Sequence, residues 1–374
     1  MEVVMYQLKN EERISMGIKP VEDTWELVKL IPSPYDHYES YAYLDGDHVY
    51  KLIQVYDDWY QEMTLNETLS EDRVFLLPKT EKGKPQKFTA ANLAKRTPIG
   101  MVISYINGNI TLYNETTQQC YYTNAHTEYC SKSIGEFAEW AKKWQAETDE
   151  RRLAEIQSFA NRARVHVKYK EGDFFRFRID RDLWGYGRLL LNYDKMRKEK
   201  QPFWNIFFGK PLVVAVYHIV TEDPHVSIDE LSKLKMLPSA VIMDNVFFYG
   251  EYEVIGNRPL RPEEENYPIH YGESRSALTR GVIYLQHGRA FRMLPDEKLV
   301  CEQGFAFAAT SWRVHQVTVD ILRACIKENS NAPYWRMIPR GFERGDLRSP
   351  RFAKEREAVF AQMGLSEDEI KFKN

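Results

Sequence analysis

Cysteine is scarce in this chain of 374 residues, which holds only Cys120, Cys130, Cys301 and Cys325 and has no Cys-x-x-Cys pair. So few cysteines in so long a chain exclude a small fold stapled by disulfides. The first residues show neither a basic segment nor an apolar stretch of the signal-peptide kind. Long hydrophobic runs are also missing, because a run such as 212–217 is far too short to cross a bilayer. These absences predict a cytoplasmic protein with no membrane partner.

Signatures of common catalytic sites are absent as well. The sequence contains no P-loop, no His-Glu-x-x-His and no Gly-x-Ser-x-Gly motif. Cys120, His126 and Cys130 are close together, but a structural zinc needs a fourth ligand and their spacing matches no common site, so zinc is the lesser alternative. The histidines of the second half lack ligand-type spacing and read as surface or core residues: His218, His225, His270, His287 and His315. We therefore predict no catalytic residues, no metal and no cofactor.

Aromatic residues and an uneven charge distribution are the features that stand out. The chain holds 23 Tyr and 8 Trp, residue types that fill β-rich cores and also suit recognition surfaces. The net charge of −3 conceals 16 Asp and Glu against 6 Lys and Arg in residues 1–78. This acidic part disfavours nucleic acid as a partner and suits a basic protein, although a solvated acidic surface is the simpler interpretation.

Apolar patterning divides the chain into two β-rich halves. Asn107-Gly108 between apolar runs predicts a hairpin. Ser133, with Glu136 three residues later, has the form of a capping box and opens a helical pattern that continues to about residue 163 as one helix or two. We predict an α+β protein with these parts: an acidic β-rich domain at 1–147, a charged helical connector at 148–165, a second β-rich domain at 166–330 and a C-terminal helical tail at 331–374.

Strand patterns continue through the second half. Phe175, Phe177 and Ile179 alternate with polar residues, which predicts a strand with one buried face. Further strands are expected at 187–193, 211–220, 240–249, 252–255 and 282–286. Two amphipathic helices are expected near the end, one marked by residues 314–325 and one by 352–363 with Gly364 as its cap. The basic stretch 336–356 reads as a solvated arm and not as a nucleic-acid surface.

The most specific segment is residues 172–188, Gly-Asp-Phe-Phe-Arg-Phe-Arg-Ile-Asp-Arg-Asp-Leu-Trp-Gly-Tyr-Gly-Arg. It resembles the signature of the immunity protein 26 family, and the likeness extends over about residues 166–326. The resemblance implies an immunity protein of a bacterial polymorphic toxin system, which binds and neutralises a toxin made by the same cell. Many toxins of such systems are nucleases. The resemblance brings no catalytic residues.

A weaker resemblance covers about residues 98–145, which include Pro98-Ile-Gly-Met-Val-Ile-Ser-Tyr and Ser133-Ile-Gly-Glu-Phe-Ala-Glu-Trp. This stretch is similar to the end of a SUKH-superfamily domain, a superfamily that also supplies immunity proteins. The resemblance implies that two immunity modules are fused in one chain.

Two groups of residues are candidates for binding a partner. The first is an acidic and aromatic group in the first half: Asp57, Asp58, Trp59, Tyr60 and Glu62. The second belongs to the Gly-Tyr-Gly-Arg signature: Trp184, Tyr186 and Arg188. Trp, Tyr and Arg are enriched among interface hot spots, while the glycines beside Tyr186 suit a bulge or a close backbone approach, which is the simpler interpretation of this motif.

We expect a protein that binds and blocks a cognate toxin and is not an enzyme. One alternative is a hydrolase of phosphoesters or phosphotriesters, which converging His and carboxylate side chains would favour. The other is an intracellular adaptor, which an adjacent toxin gene would disfavour. The sequence leaves the oligomeric state open.

Overall fold

The computed structural model describes residues 5–32, 35–80, 82–124, 133–198, 209–273, 280–294, 297–301, 310–311, 314, 317–338 and 346–365. The chain divides into two compact units, residues 1–165 and 166–374. Both combine helices with mainly antiparallel sheets, which confirms the expected α+β class. His126, Cys130 and His315 lie outside the described residues.

The first unit combines four described helices with a large sheet. Its helices are α1 (Asn10–Ser15), α2 (Ala90–Leu93), α3 (Ile134–Ala146) and α4 (Glu150–Ala160). Its strands are β1 (Glu26–Lys29), β2 (Glu39–Asp45), β3 (His48–Tyr56), β4 (Trp59–Leu69), β5 (Phe75–Leu77), β6 (Gln86–Lys87), β7 (Met101–Ile106), β8 (Asn109–Asn114) and β9 (Gln119–Thr123).

The sheet of the first unit is antiparallel and follows chain order. Its described strands run β1-β2-β3-β4-β7-β8-β9, and β5 pairs with β4 and β6. The predicted hairpin is β7–β8, where Asn107 and Gly108 take φ angles of 50° and 85°. Such left-handed turns match the twist of the flanking strands, so the hairpin prediction is confirmed.

The helical stretch after residue 133 forms two helices. The capping box is present, because the Ser133 backbone N–H donates to Glu136 Oε2 at 3.2 Å. Helix α4 buries Ile156 and Phe159 in the core of the first unit, beside Tyr121. Part of the predicted connector at 148–165 therefore contributes to this core, while the independence of the predicted domains stays a prediction.

The second unit contains the remaining elements. Its strands are β10 (Asp173–Asp180), β11 (Leu183–Asn192), β12 (Pro211–Thr221), β13 (Ala240–Met243), β14 (Glu253–Asn257), β15 (Ile269–Glu273), β16 (Ile283–His287), β17 (Ala290–Leu294) and β18 (Thr310–Ser311). Its helices are α5 (Tyr193–Lys198), α6 (Ile228–Leu231), α7 (Asn245–Phe248), α8 (Val319–Glu328), α9 (Ala332–Met337) and α10 (Ala353–Met363), with 3₁₀ turns at Pro262–Glu264 and Pro350–Phe352.

Two sheets organise the described part of this unit. The larger runs β14-β10-β11-β12-β13-β18, and the smaller runs β15-β16-β17. The prediction of a strand at 240–249 is wrong in its second half, because β13 ends at Met243 and helix α7 follows. Helix α10 packs Val359, Phe360 and Met363 on the smaller sheet, so the expected tail is part of a hydrophobic core.

Candidate functional site

The tight turn between β3 and β4 presents two carboxylates on the first unit. Asp57 is exposed and Asp58 is half-buried. The backbone of this turn is fixed, since the Asp58 carbonyl accepts from Asn107 N–H at 2.9 Å and the Asp57 carbonyl accepts from Ile134 N–H. The hairpin turn of β7–β8 and the start of α3 therefore hold both acids in place.

Four aromatic side chains gather beside this turn. The Trp59 ring stacks on Tyr38 with centroids 5.1 Å apart, and His37 meets Trp59 edge-on at 5.5 Å. His37 also meets Tyr56 edge-on at 5.7 Å. We call this surface the acidic–aromatic patch, formed by His37, Tyr38, Tyr56, Asp57, Asp58 and Trp59. The fold thus brings together two acidic and aromatic segments that are about 20 residues apart in sequence.

Tyr60 and Glu62 do not belong to this surface, which corrects the expectation from sequence. Both side chains are fully buried, at 0% exposure. The physical reason is strand alternation: Tyr60 and Glu62 point to the same face of β4, and that face packs against the core beneath α1 and α3. They cannot contact a partner in this conformation.

Glu62 is the centre of a buried ionic cluster. Its carboxylate accepts from Lys51 Nζ at 2.8 Å, from Arg13 Nε at 2.9 Å and from the Tyr60 hydroxyl at 2.7 Å. Burial alone would raise the pKa of Glu62, but Lys51 and Arg13 outweigh it and hold the pKa at about 2. The cluster ties β3, β4 and α1 together, and sequence patterning missed Arg13 and Lys51 as its members.

The Gly-Tyr-Gly-Arg signature lies on β11, where its glycines allow close packing. A Cβ on Gly187 would lie 2.3 Å from Phe175 Cζ and 2.6 Å from the Ala215 carbonyl oxygen. A Cβ on Gly185 would lie 2.6 Å from Phe177 Cζ. The two glycines therefore leave room for the phenylalanines of β10.

Tyr186 and Arg188 are interior residues, at 0% and 1% exposure, which corrects their expected place on a surface. The Tyr186 hydroxyl donates to the Asp223 carbonyl at 2.8 Å. The Arg188 guanidinium donates to three backbone carbonyls and lies 3.3 Å from Glu264 and 3.8 Å from the centre of the Phe174 ring. The carbonyls belong to Gly172, Arg258 and Pro259. Arg188 thus fastens the segment after β14 to the sheet.

Of the three candidate binding residues Trp184, Tyr186 and Arg188, Trp184 has a half-buried side chain. The guanidinium carbons of Arg176 and Arg178 lie 5.2 Å and 4.7 Å from its ring centre. Arg176 is also paired with Glu253 at 2.6 Å, so this guanidinium is already engaged within the unit. Binding of a partner at Trp184 stays a prediction.

The histidines take separate structural positions. His218 Nε2 lies 2.8 Å from the Asn331 side-chain oxygen, and His225 is exposed. His270 and His287 are in the second unit, and burial lowers the pKa of each to about 4. Among the described residues, no group of three or more His, Cys, Asp or Glu side chains could hold a metal ion. Cys325 is a free, buried thiol, and Cys120 Sγ donates to the Tyr122 carbonyl at 3.4 Å.

The fold and these sites define a β-rich α+β protein whose distinctive side chains either form buried polar clusters or line an exposed acidic and aromatic surface. None of the helices in the described part of the chain has the length and hydropathy needed to span a membrane. Residues 170–278 match the family model of Immunity protein 26, which confirms the resemblance found in the sequence. The match covers less than a third of the chain. No curated protein and no solved structure matches the chain.

Proposed function

We propose that this protein is an immunity protein that binds and neutralises a cognate toxin in the cytoplasm of a bacterial cell carrying a polymorphic toxin system. The observation that carries the proposal is the match of residues 170–278 to Immunity protein 26. The matched segment spans β10 to β15 and includes the buried Arg188 cluster. Inhibition by occlusion needs a stable binding surface and no catalytic group, and we propose that the protein is not an enzyme.

The acidic first part supports a basic target. Residues 1–78 carry 16 Asp and Glu against 6 Lys and Arg. A nuclease must hold phosphates, so its cleft is usually basic, and we propose a nuclease as the toxin class. Complementary charge would mainly speed association and select the partner. The resemblance of residues 98–145 to a SUKH domain, if extended to function, would give both halves a role in immunity.

Co-expression is the direct test. The full chain is produced together with the product of the neighbouring gene, and cell growth and co-purification are measured, with mass spectrometry identifying the captured protein. We expect growth to be restored by the cognate chain and not by an immunity protein from another locus. Persistent toxicity without a complex would overturn the proposal, and capture of an unrelated host protein would favour the adaptor alternative.

The hydrolase alternative has its own test. Purified full chain is analysed for metal content and assayed with an activated phosphotriester. We expect no stoichiometric metal and no turnover, and a His225→Ala variant should protect cells as well as the natural chain does. Metal-dependent turnover that is lost in this variant would replace the immunity proposal with a hydrolytic one.

A further inference from the structure

We propose that the acidic–aromatic patch binds a positively charged, arginine-bearing protein loop, and that in the proposed immunity function this loop belongs to the toxin. The inference rests on the proposed function for the identity of the partner, while the chemistry of the patch stands on its geometry. The patch supplies carboxylates and aromatic faces within one surface, and a guanidinium is the group that can use both.

Two aromatic side chains of the patch, Tyr56 and His37, are exposed, in contrast to most large aromatic side chains of this unit. Tyr56 is 51% exposed and meets His37 edge-on, while Tyr38 and Trp59 are half-buried. By comparison, Tyr60, Tyr105 and Phe137 are at most 1% exposed. Folding alone would favour burial of such rings, because burying each ring removes a large apolar area from water. Their exposure beside one another favours a binding surface.

The carboxylates of the patch have capacity for a cationic ligand. Within the described part of the chain, Asp57 and Asp58 form no ion pair, and Asp58 Oδ1 has no hydrogen-bond partner although that atom is shielded from solvent. The exposed carboxylate of Asp57 is therefore the accessible acceptor for a guanidinium donor, and the charge of Asp58 beside it adds to the attraction.

The patch is also held in position before any ligand arrives. Asn107 N–H and Ile134 N–H donate to the carbonyls of the two turn residues, and the stacked Trp59 and Tyr38 rings link the turn to the segment before β2. Binding at a surface that is already ordered avoids the entropy cost of ordering a loop. Both the charge and the rigidity of the patch therefore suit recognition of a cationic loop.

A labelled nona-arginine peptide tests the chemistry without requiring the toxin. Its affinity for the full chain is measured by fluorescence anisotropy at low and at physiological salt. The Asp57→Asn/Asp58→Asn variant should bind about tenfold more weakly, since two charge-assisted contacts are lost. Tyr56→Leu, which keeps apolar area but removes the ring, should bind roughly threefold more weakly.

The matched control is Asp23→Asn/Glu71→Gln, which removes the same charge from two exposed acids outside the patch. Its affinity should fall less than about twofold, because only the long-range field changes and salt screens it. Equal losses in the control and patch variants, or no loss in either, would overturn the inference. Circular dichroism and thermal melting of each variant check that the fold is retained.

The second arm uses an inactive form of the neighbouring gene product. Hydrogen exchange of the complex should show protection at residues 35–38 and 56–59, and the Asp57→Asn/Asp58→Asn variant should associate more slowly. If the gene product binds the natural chain and the Asp57→Asn/Asp58→Asn variant alike, and residues 35–38 and 56–59 are not protected, the patch inference fails and the immunity function stands. If the product does not bind while the peptide still discriminates the patch, the immunity function fails and the cation-binding surface stands.

Discussion

Replacing Glu62 by Gln should destabilise the first unit strongly without altering its surface. The side chain is fully buried and accepts hydrogen bonds from Lys51, Arg13 and Tyr60. Gln is nearly isosteric but neutral, so two cations would lose their counter-charge in the core. One side of the amide would also present N–H groups to the donors of Lys51 or Arg13.

The expected loss follows from the burial of all three charges. Lys51 and Glu62 are 0% exposed at their side chains, and Arg13 is 4% exposed. Removing one partner of such a buried pair costs about 3–5 kcal/mol, because an uncompensated charge stays in the interior. We therefore expect Glu62→Gln to lower the free energy of unfolding of the first unit by about 4 kcal/mol at pH 7. Asp57→Asn/Asp58→Asn, on the surface, should change it by less than about 1 kcal/mol.

Urea-dependent hydrogen exchange, read by mass spectrometry on peptides from β3 and β4, measures this unit separately from the other. A second change, Lys51→Met, made in the Glu62→Gln background should recover at least about 1 kcal/mol, because it removes one stranded charge. The depressed pKa of Glu62 determines how the stability of the first unit depends on pH. Its contribution is full above the unfolded pKa of about 4.3 and is lost as pH falls towards about 2, so the deficit of the variant should shrink in acid. A deficit below about 1 kcal/mol at pH 7 would refute this account of the cluster.

Three further predictions concern other parts of the chain. Gly187→Ala should lower the stability of the second unit by about 1–3 kcal/mol through clashes with Phe175 and the β12 backbone. Gly135→Ala, whose Cβ would meet Ser133 Oγ at an ordinary 3.5 Å, should not destabilise the first unit, and equal melting temperatures of the two variants would contradict this. Because burial lowers the pKa of His270 to about 4, this histidine should remove roughly 3 kcal/mol of stability from the second unit as pH falls from about 6.5 to 4, and His287 should add a comparable loss. An unchanged melting temperature between about pH 7 and 5 would speak against it. Limited trypsin digestion should cut first in the exposed, irregular segment 161–165, giving two stable fragments, and an early cut inside β10 would count against separable domains.

Local sequence patterns determined much of the secondary structure. Asn107-Gly108 forms the expected turn because both residues tolerate positive φ, and Ser133 with Glu136 caps α3 through side chains three residues apart. Gly364 ends α10 with a φ of 61°, as its position after the apolar stripe predicts. Each of these features depends on neighbours within a few residues, so the sequence alone is sufficient to predict them.

The candidate site was only partly predictable from the sequence. Alternation along β4 contains a usable signal, since Tyr60 and Glu62 must share a face, and a buried Tyr60 would have placed Glu62 in the core. The signature residues Tyr186 and Arg188 have side chains typical of interfaces, yet the glycines beside them permit tight packing that buries both. Residue type alone cannot distinguish a binding surface from a buried polar cluster.

The sequence by itself determined the α+β class, the β7–β8 hairpin, the caps of α3 and α10 and the likeness of residues 170–278 to Immunity protein 26. Only the tertiary structure decided which acids are surface groups and which are core groups. Glu62 is buried because its charge is matched by Lys51 and Arg13, which are 11 and 49 residues away in the chain. Asp57 and Asp58 stay at the surface, and the fold brings His37 and Tyr38 against Trp59, the next residue along the chain. The cost of burying a charge depends on partners in space, and sequence separation does not reveal those partners.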